Sequence, residues 1–239
     1  MKFLLLMTVA LATTGIAGQE VAIKNVFKDD FYIGAAISGG LLRKEPKTTL
    51  GLAARQFNSI TPENSLKWKP FNPETDVYNQ AVADAFVDFG VQNKMYVVGH
   101  VLFWHAQTPD WVFLDAEGKH VTREELLTRM RQRVRYLATR YKGKIDAWDV
   151  VNEAVIGDGS LRKSPWTEII GKDFIEQAFR IADEELPSDV ELIYNDYSMT
   201  GKNKRDAVVA LVNDLKKKGV RIDGVGMQGH WSLSGPSIK

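Results

Sequence analysis

Glu153 closes the run Trp148-Asp149-Val150-Val151-Asn152-Glu153, an apolar β-type stretch that ends on an amide and a carboxylic acid before the chain turns. A buried strand that delivers an acid to its C-terminal end has the build needed to cleave a glycosidic bond inside a barrel. That chemistry takes two carboxyl groups flanking the bond, about 5 to 5.5 Å apart for retention of configuration and roughly 6.5 to 9.5 Å for inversion. Glu153 therefore needs a partner.

Polar and aromatic groups gather at the ends of other apolar runs. Glu63, Asn64, Lys67 and Trp68 follow Pro62; His100, Trp104, His105 and Gln107 close a third run; Asn195, Asp196 and Tyr197 close another; Gln228, His230 and Trp231 follow the last. Three of the four histidines lie in this set. Amides, imidazoles and a lysine offer the directional hydrogen bonds that a hydroxyl-rich ligand demands, and indole and phenol rings offer flat faces for sugars. Taken singly, each is more often a helix cap, a solvated charge or a satisfied core group than a ligand, and Trp148 and Asp149 fit the core and its polar satisfaction better than a ligand. His100 and His105 lack the i, i+4 spacing of a helical zinc pair and no third ligand is evident, so no metal is expected. The first strand runs into Ile37-Ser38-Gly39-Gly40, which is not a dinucleotide loop, and no cofactor is expected.

The elements that must position these groups are legible as alternating periodicities. Strand-like runs fall at 31–38, 57–62, 95–104, 145–152, 191–197 and 224–230; helical stretches fall at 47–54, 78–93, 123–141, 172–186 and 203–218. Thr122 with Glu125 fits a capping box, and Gly219 fits a helix stop. Strands apolar on both faces and separated by helices predict a parallel sheet, either doubly wound or closed into a (β/α)8 TIM barrel. Functional groups after nearly every strand favour the barrel, whose sites are built from many strand ends.

Composition narrows the partners. The 239 residues carry 44 % hydrophobic content, enough for one large core and one domain. Lysine and arginine number 31 against 30 acidic residues, a net charge of +1, so neither nucleic acid nor an anionic membrane is favoured. A neutral polymer suits the balance better. The absence of cysteine excludes disulfides and thiolate metal sites. At the N-terminus, Lys2 precedes an apolar run from Phe3 to Ala12 and then small residues. That run is too short for a membrane span of about 20 residues, so residues 1–18 are expected to be a secretory signal peptide, with the mature chain at 19–239 secreted or periplasmic. No oligomeric state follows from the sequence.

Four segments in order, Phe57-Asn58-Ser59-Ile60-Thr61-Pro62-Glu63-Asn64-Ser65-Leu66-Lys67-Trp68, Gly99-His100-Val101-Leu102-Phe103-Trp104-His105, Trp148-Asp149-Val150-Val151-Asn152-Glu153 and Gly226-Met227-Gln228-Gly229-His230, resemble glycoside hydrolase family 10. The resemblance implies a retaining endo-β-1,4-xylanase on a (β/α)8 barrel, with xylan and xylo-oligosaccharides as partners. It implies that Glu153 is the general acid/base and that Asn152 contacts the sugar 2-hydroxyl. It also implies that Glu63, Asn64 and Lys67 hold the glycone-side xylose, that His100 and Trp104 shape the neighbouring subsite, and that Gln228 and His230 flank the nucleophile, with His230 hydrogen-bonding it. Tyr197 is a further candidate for contact with the sugar chain. The family's nucleophile belongs on a seventh strand, beyond His230, and no glutamate in that position precedes Lys239. The expectation is an incomplete barrel of about six βα units that has negligible xylanase activity alone. A non-catalytic xylan-binding protein and a β-1,4-glucanase of a related barrel family are the alternative readings.

Overall fold

A computed structural model describes residues 21–43 and 47–236. The segment read as a signal peptide lies outside these. Among the described residues the strands are β1 (Gly34–Ile37), β2 (Ser59–Pro62), β3 (Tyr96–Trp104), β4 (Ala147–Asn152), β5 (Glu191–Tyr197) and β6 (Gly224–Gln228). The helices are α1 (Ile23–Val26), α2 (Gly39–Arg43), α3 (Thr48–Gln56), α4 (Trp68–Phe71), α5 (Gln80–Gln92), α6 (Arg123–Arg140), α7 (Pro165–Ile169), α8 (Phe174–Glu185) and α9 (Lys202–Lys217). The strands form one sheet in the order β1-β2-β3-β4-β5-β6, and every neighbouring pair is parallel. A doubly wound sheet reverses its order at a switch point. An unbroken sequential order is the barrel arrangement, here with six strands and, among the described residues, helices after the first five.

The expected strands all form, with trimmed ends. Phe31 and Tyr32 precede β1 and are exposed, and β6 stops at Gln228 rather than His230. Every residue of β4 is buried, as a strand covered on both faces requires. A side chain at Gly99 on β3 would place its Cβ 2.4 Å from the Trp148 ring on β4, so the glycine is what lets the indole lie flat across the neighbouring strand. Helix α6 turns the stripe Leu126, Met130, Val134 and Leu137 inward, all fully buried, and packs beside α8, whose Phe174, Ile175, Ala178, Phe179 and Ala182 meet the same core. Above them Trp166 stacks on Phe174 at 5.3 Å and meets Phe113 edge-on at 4.7 Å.

Two predicted helix signals resolve differently. The Thr122 hydroxyl accepts from the Glu125 amide at 3.2 Å, but the Glu125 carboxylate turns to Arg129, so the box is only half made. Gly219, at φ +68°, stops α9: its amide donates to the Lys216 carbonyl at 3.0 Å, and that of Val220 donates to Leu215 at 3.0 Å. That pair of bonds is a Schellman motif.

Candidate active site

The C-terminal ends of the six strands open onto one cleft of about 610 Å³, lined in part by Glu63, Lys67, His100, Trp104, Asp149, Asn152, Glu153, Asn195, Gln228 and His230. Glu153 is its centre. The strand ladder ends at Asn152, and Glu153 takes a left-handed backbone at φ +60°. Its amide donates to the Asn195 carbonyl at 2.8 Å, and its own carbonyl accepts from Arg162 Nε at 2.8 Å. With the backbone fixed on both sides, the carboxylate points among three N–H donors. The Trp104 indole donates to Oε2 at 3.0 Å; Gln228 Nε2 and Asn152 Nδ2 donate to Oε1 at 3.1 and 3.2 Å. Gln228 Nε2 also lies 3.0 Å from Asn152 Oδ1, so β3, β4 and β6 meet at one acid.

The rest of the rim is equally ordered. Asp149, buried in the barrel interior, accepts from His100 Nδ1 at 2.7 Å and is 3.4 Å from Asn195 Nδ2. That bond fixes the orientation of the imidazole at the rim. Lys67 is buried; its ammonium donates to Asn64 Oδ1 at 2.9 Å and lies 4.8 Å from the Trp104 ring centroid. Burial pushes the Lys67 ammonium below the usual lysine range, against the upward pull of Glu153 and Glu63. A partly desolvated cation beside an indole face suits a neutral ligand rich in hydroxyls.

The structure separates some residues that the sequence placed together. Asn64 lines an adjoining cavity with Ser38 and Arg43 and reaches the cleft through Lys67. Tyr197 stands behind the rim: its hydroxyl accepts from Arg162 Nη2 at 3.0 Å, and Lys204 Nζ lies 3.6 Å from its ring centroid. His230 is exposed, and its Nε2 donates to Gln228 Oε1 at 3.0 Å. His105 faces away from the cleft into a small cavity that it shares with Glu153, Arg162 and Trp166, and burial lowers its pKa. Among the described residues, no group of three or more His, Asp or Glu is placed to hold a metal, and no helix is long and apolar enough to cross a membrane.

Sequence reasoning missed Arg162 as part of the site and named Asn195 only as one of several strand-end groups, with no role of its own. Arg162 belongs to a loop without periodicity, and its bonds to the Glu153 carbonyl and the Tyr197 hydroxyl arise only in the fold. Asn195 alternates along β5 with the fully buried Tyr194 and Asp196, and that alternation was the available signal.

A parallel barrel sheet that brings an acid, amides, imidazole and indole to one rim defines a protein of the barrel glycosidase class. The chain belongs to glycosyl hydrolase family 10, whose sequence profile matches residues 22–239. It is 44 % identical over 229 residues to endo-1,4-beta-xylanase A of Xylanibacter ruminicola, covering 96 % of this chain and 62 % of that protein. A GH10 endoxylanase retrieved from a sugarcane soil metagenome superposes with a TM-score of 0.87 at 49 % identity, over 90 % of this chain and 63 % of that one. A mutant of the intracellular xylanase of Thermoanaerobacterium saccharolyticum, in complex with xylotriose, superposes at 0.84 with 36 % identity, over 89 % of this chain and 68 % of that one. The chain thus spans somewhat under two thirds of the length of the curated relatives it matches.

Proposed function

We propose that this chain is the acid/base-bearing part of an endo-β-1,4-xylanase that cleaves internal xylosidic bonds with retention, and that Glu153 is its general acid/base. The observation that carries the reading is the Glu153 carboxylate, held by indole and amide donors from three strands above a cleft with a buried lysine. In the first step Glu153 gives its proton to the glycosidic oxygen as a second carboxylate attacks the anomeric carbon. In the second it takes a proton from water, which displaces that carboxylate. The other carboxylates lining the cleft are Glu63 and Asp149, and Asp149 is committed to His100. The family resemblance assigns the nucleophile to a seventh strand. Glu63, Lys67, His100, Trp104 and Asn152 hold the glycone side, and Gln228 and His230 stand beside the nucleophile.

Two experiments test this. Calorimetric titration of the 239-residue chain is expected to show xylotriose binding that exceeds cellotriose binding, with negligible release of reducing sugar from xylan. Turnover comparable to a full-length relative would sink the assignment of the nucleophile to a strand beyond β6. Joined to the C-terminal third of a relative, the chain is expected to hydrolyse xylan faster than carboxymethyl-cellulose. The opposite preference would favour a glucanase, and binding without turnover in that completed form would favour a non-catalytic protein. Export is the further part of the proposal, supported by the composition of residues 1–18, and N-terminal sequencing of the secreted product is expected to begin near residue 19.

A further inference from the structure

Arg133 on α6 lies outside the cleft yet touches two of the segments that build it. It is 6 % exposed, and its partners are carbonyl groups rather than a carboxylate. Its Nη2 donates to Leu66 O at 2.8 Å and lies 3.3 Å from Val101 O, and its Nε donates to Leu102 O at 3.2 Å. The guanidinium carbon sits 4.6 Å from the Trp68 ring centroid. Burial pushes its pKa down to about 9, which still leaves it charged at neutral pH. A buried cation without a counter-ion is costly and demands full hydrogen bonding.

The carbonyls it collects are particular ones. The pairing of β3 with β4 runs from His100 opposite Asp149 to Phe103 opposite Val151, and Val101 and Leu102 fall in the break between them. Leu66 directly precedes Lys67. One planar guanidinium thus gathers the carbonyls in the irregularity of β3 and ties them to the loop after β2. Lysine, with a compact point charge, cannot reproduce that fork.

We propose that Arg133 is a positioning residue for the glycone side of the cleft, fixing the spacing between Lys67 and the His100 and Trp104 pair without touching sugar. The inference rests on the xylan-binding reading above, so its test has one readout that needs no ligand. In the 15N-labelled 239-residue chain, the Trp104 indole N–H signal reports the bond to Glu153, and xylotriose titration reports affinity. Arg133→Ala is expected to shift the Trp104 signal and to weaken xylotriose binding at least about tenfold, with the circular dichroism of the fold retained. Millimolar guanidinium is expected to restore both in Arg133→Ala and to change neither in the unsubstituted chain, whereas Arg133→Lys stays impaired.

An unmoved Trp104 signal with affinity within twofold of the unsubstituted chain would overturn the proposal. So would a folded Arg133→Ala that guanidinium cannot rescue. If neither variant folds, Arg133 serves folding rather than placement, and the proposal also fails. An unsubstituted chain that ignores xylotriose would instead overturn the cleft reading, leaving the Trp104 signal to decide on Arg133.

Discussion

Glu153 shows how a few donors fix a side chain. Its carboxylate is held at one orientation by Trp104, Asn152 and Gln228. In a catalytically complete form, Glu153→Gln is expected to lower kcat on xylan by about 10²- to 10⁴-fold, the usual worth of a general acid/base. Retention of more than a tenth of the rate would remove Glu153 from that role. Lys67→Met, which keeps the apolar stem and deletes the donor to Asn64, is expected to weaken xylotriose binding roughly tenfold, or about 1.4 kcal/mol. Calorimetry on the 239-residue chain checks it. At this scale the sequence carried the acid and its amide neighbours, because such groups recur together at several strand ends although each alone has other uses. It did not carry Arg133, one of several arginines along α6 with nothing in the sequence to set it apart. Arg131 and Arg135 do pair with Glu184 and Glu185 at the surface, and only packing shows that Arg133 turns inward.

Helices and strands place these groups through contacts that tolerate little change. Gly99→Ala would press a methyl into the Trp148 ring and is expected to cost about 1 to 3 kcal/mol, the range for overpacking a core. A melting temperature within a degree of the unsubstituted chain would refute it. Between α6 and α8, Arg123 grips Asp173 with bonds of 2.9 and 2.6 Å and holds its carboxyl down at about 2. An aspartate depressed below its unfolded value stabilises the fold fully above roughly pH 4 and loses that contribution as pH falls toward 2. Because the pair is over a third exposed on the Asp173 side, the effect is small, of the order of 0.5 kcal/mol after screening. Asp173→Asn is therefore expected to melt slightly lower at pH 6 and identically at pH 2, and thermal melts across that range decide it. The long elements were legible because Leu126, Met130, Val134 and Leu137 repeat at helical spacing. The four-residue α4 and five-residue α7 were not, since neither is long enough to show a period, and tertiary contacts of Trp68 and Trp166 hold them.

For the molecule as described, the parallel sheet has two outer strands, β1 and β6, each paired on one side only among the described residues. Val225 and Met227 on β6 and Trp231 beyond it are exposed, as are Phe31 and Tyr32 ahead of β1. Unpaired strand edges flanked by apolar side chains recruit other chains. The 239-residue polypeptide on its own is expected to self-associate with rising concentration, and light scattering across a dilution series measures it; a monomer at high micromolar concentration would contradict the expectation. The parallel α/β class was legible from strand and helix alternation. The sheet order that separates a barrel from a doubly wound fold was not, because strand order is a property of long-range pairing that local periodicity leaves unspecified.

The left-handed backbone of Glu153 carries one more consequence. A residue with a Cβ at positive φ pays roughly 1 kcal/mol that glycine does not. The groups that bind its carboxylate line an open cleft, where water can replace it. Glu153→Gly is therefore expected to raise the melting temperature while abolishing any proton transfer, and Glu153→Ala to leave the melting temperature lower than Glu153→Gly. Thermostability and turnover would then select opposite residues at this position, so a screen for stability alone would erode the acid first.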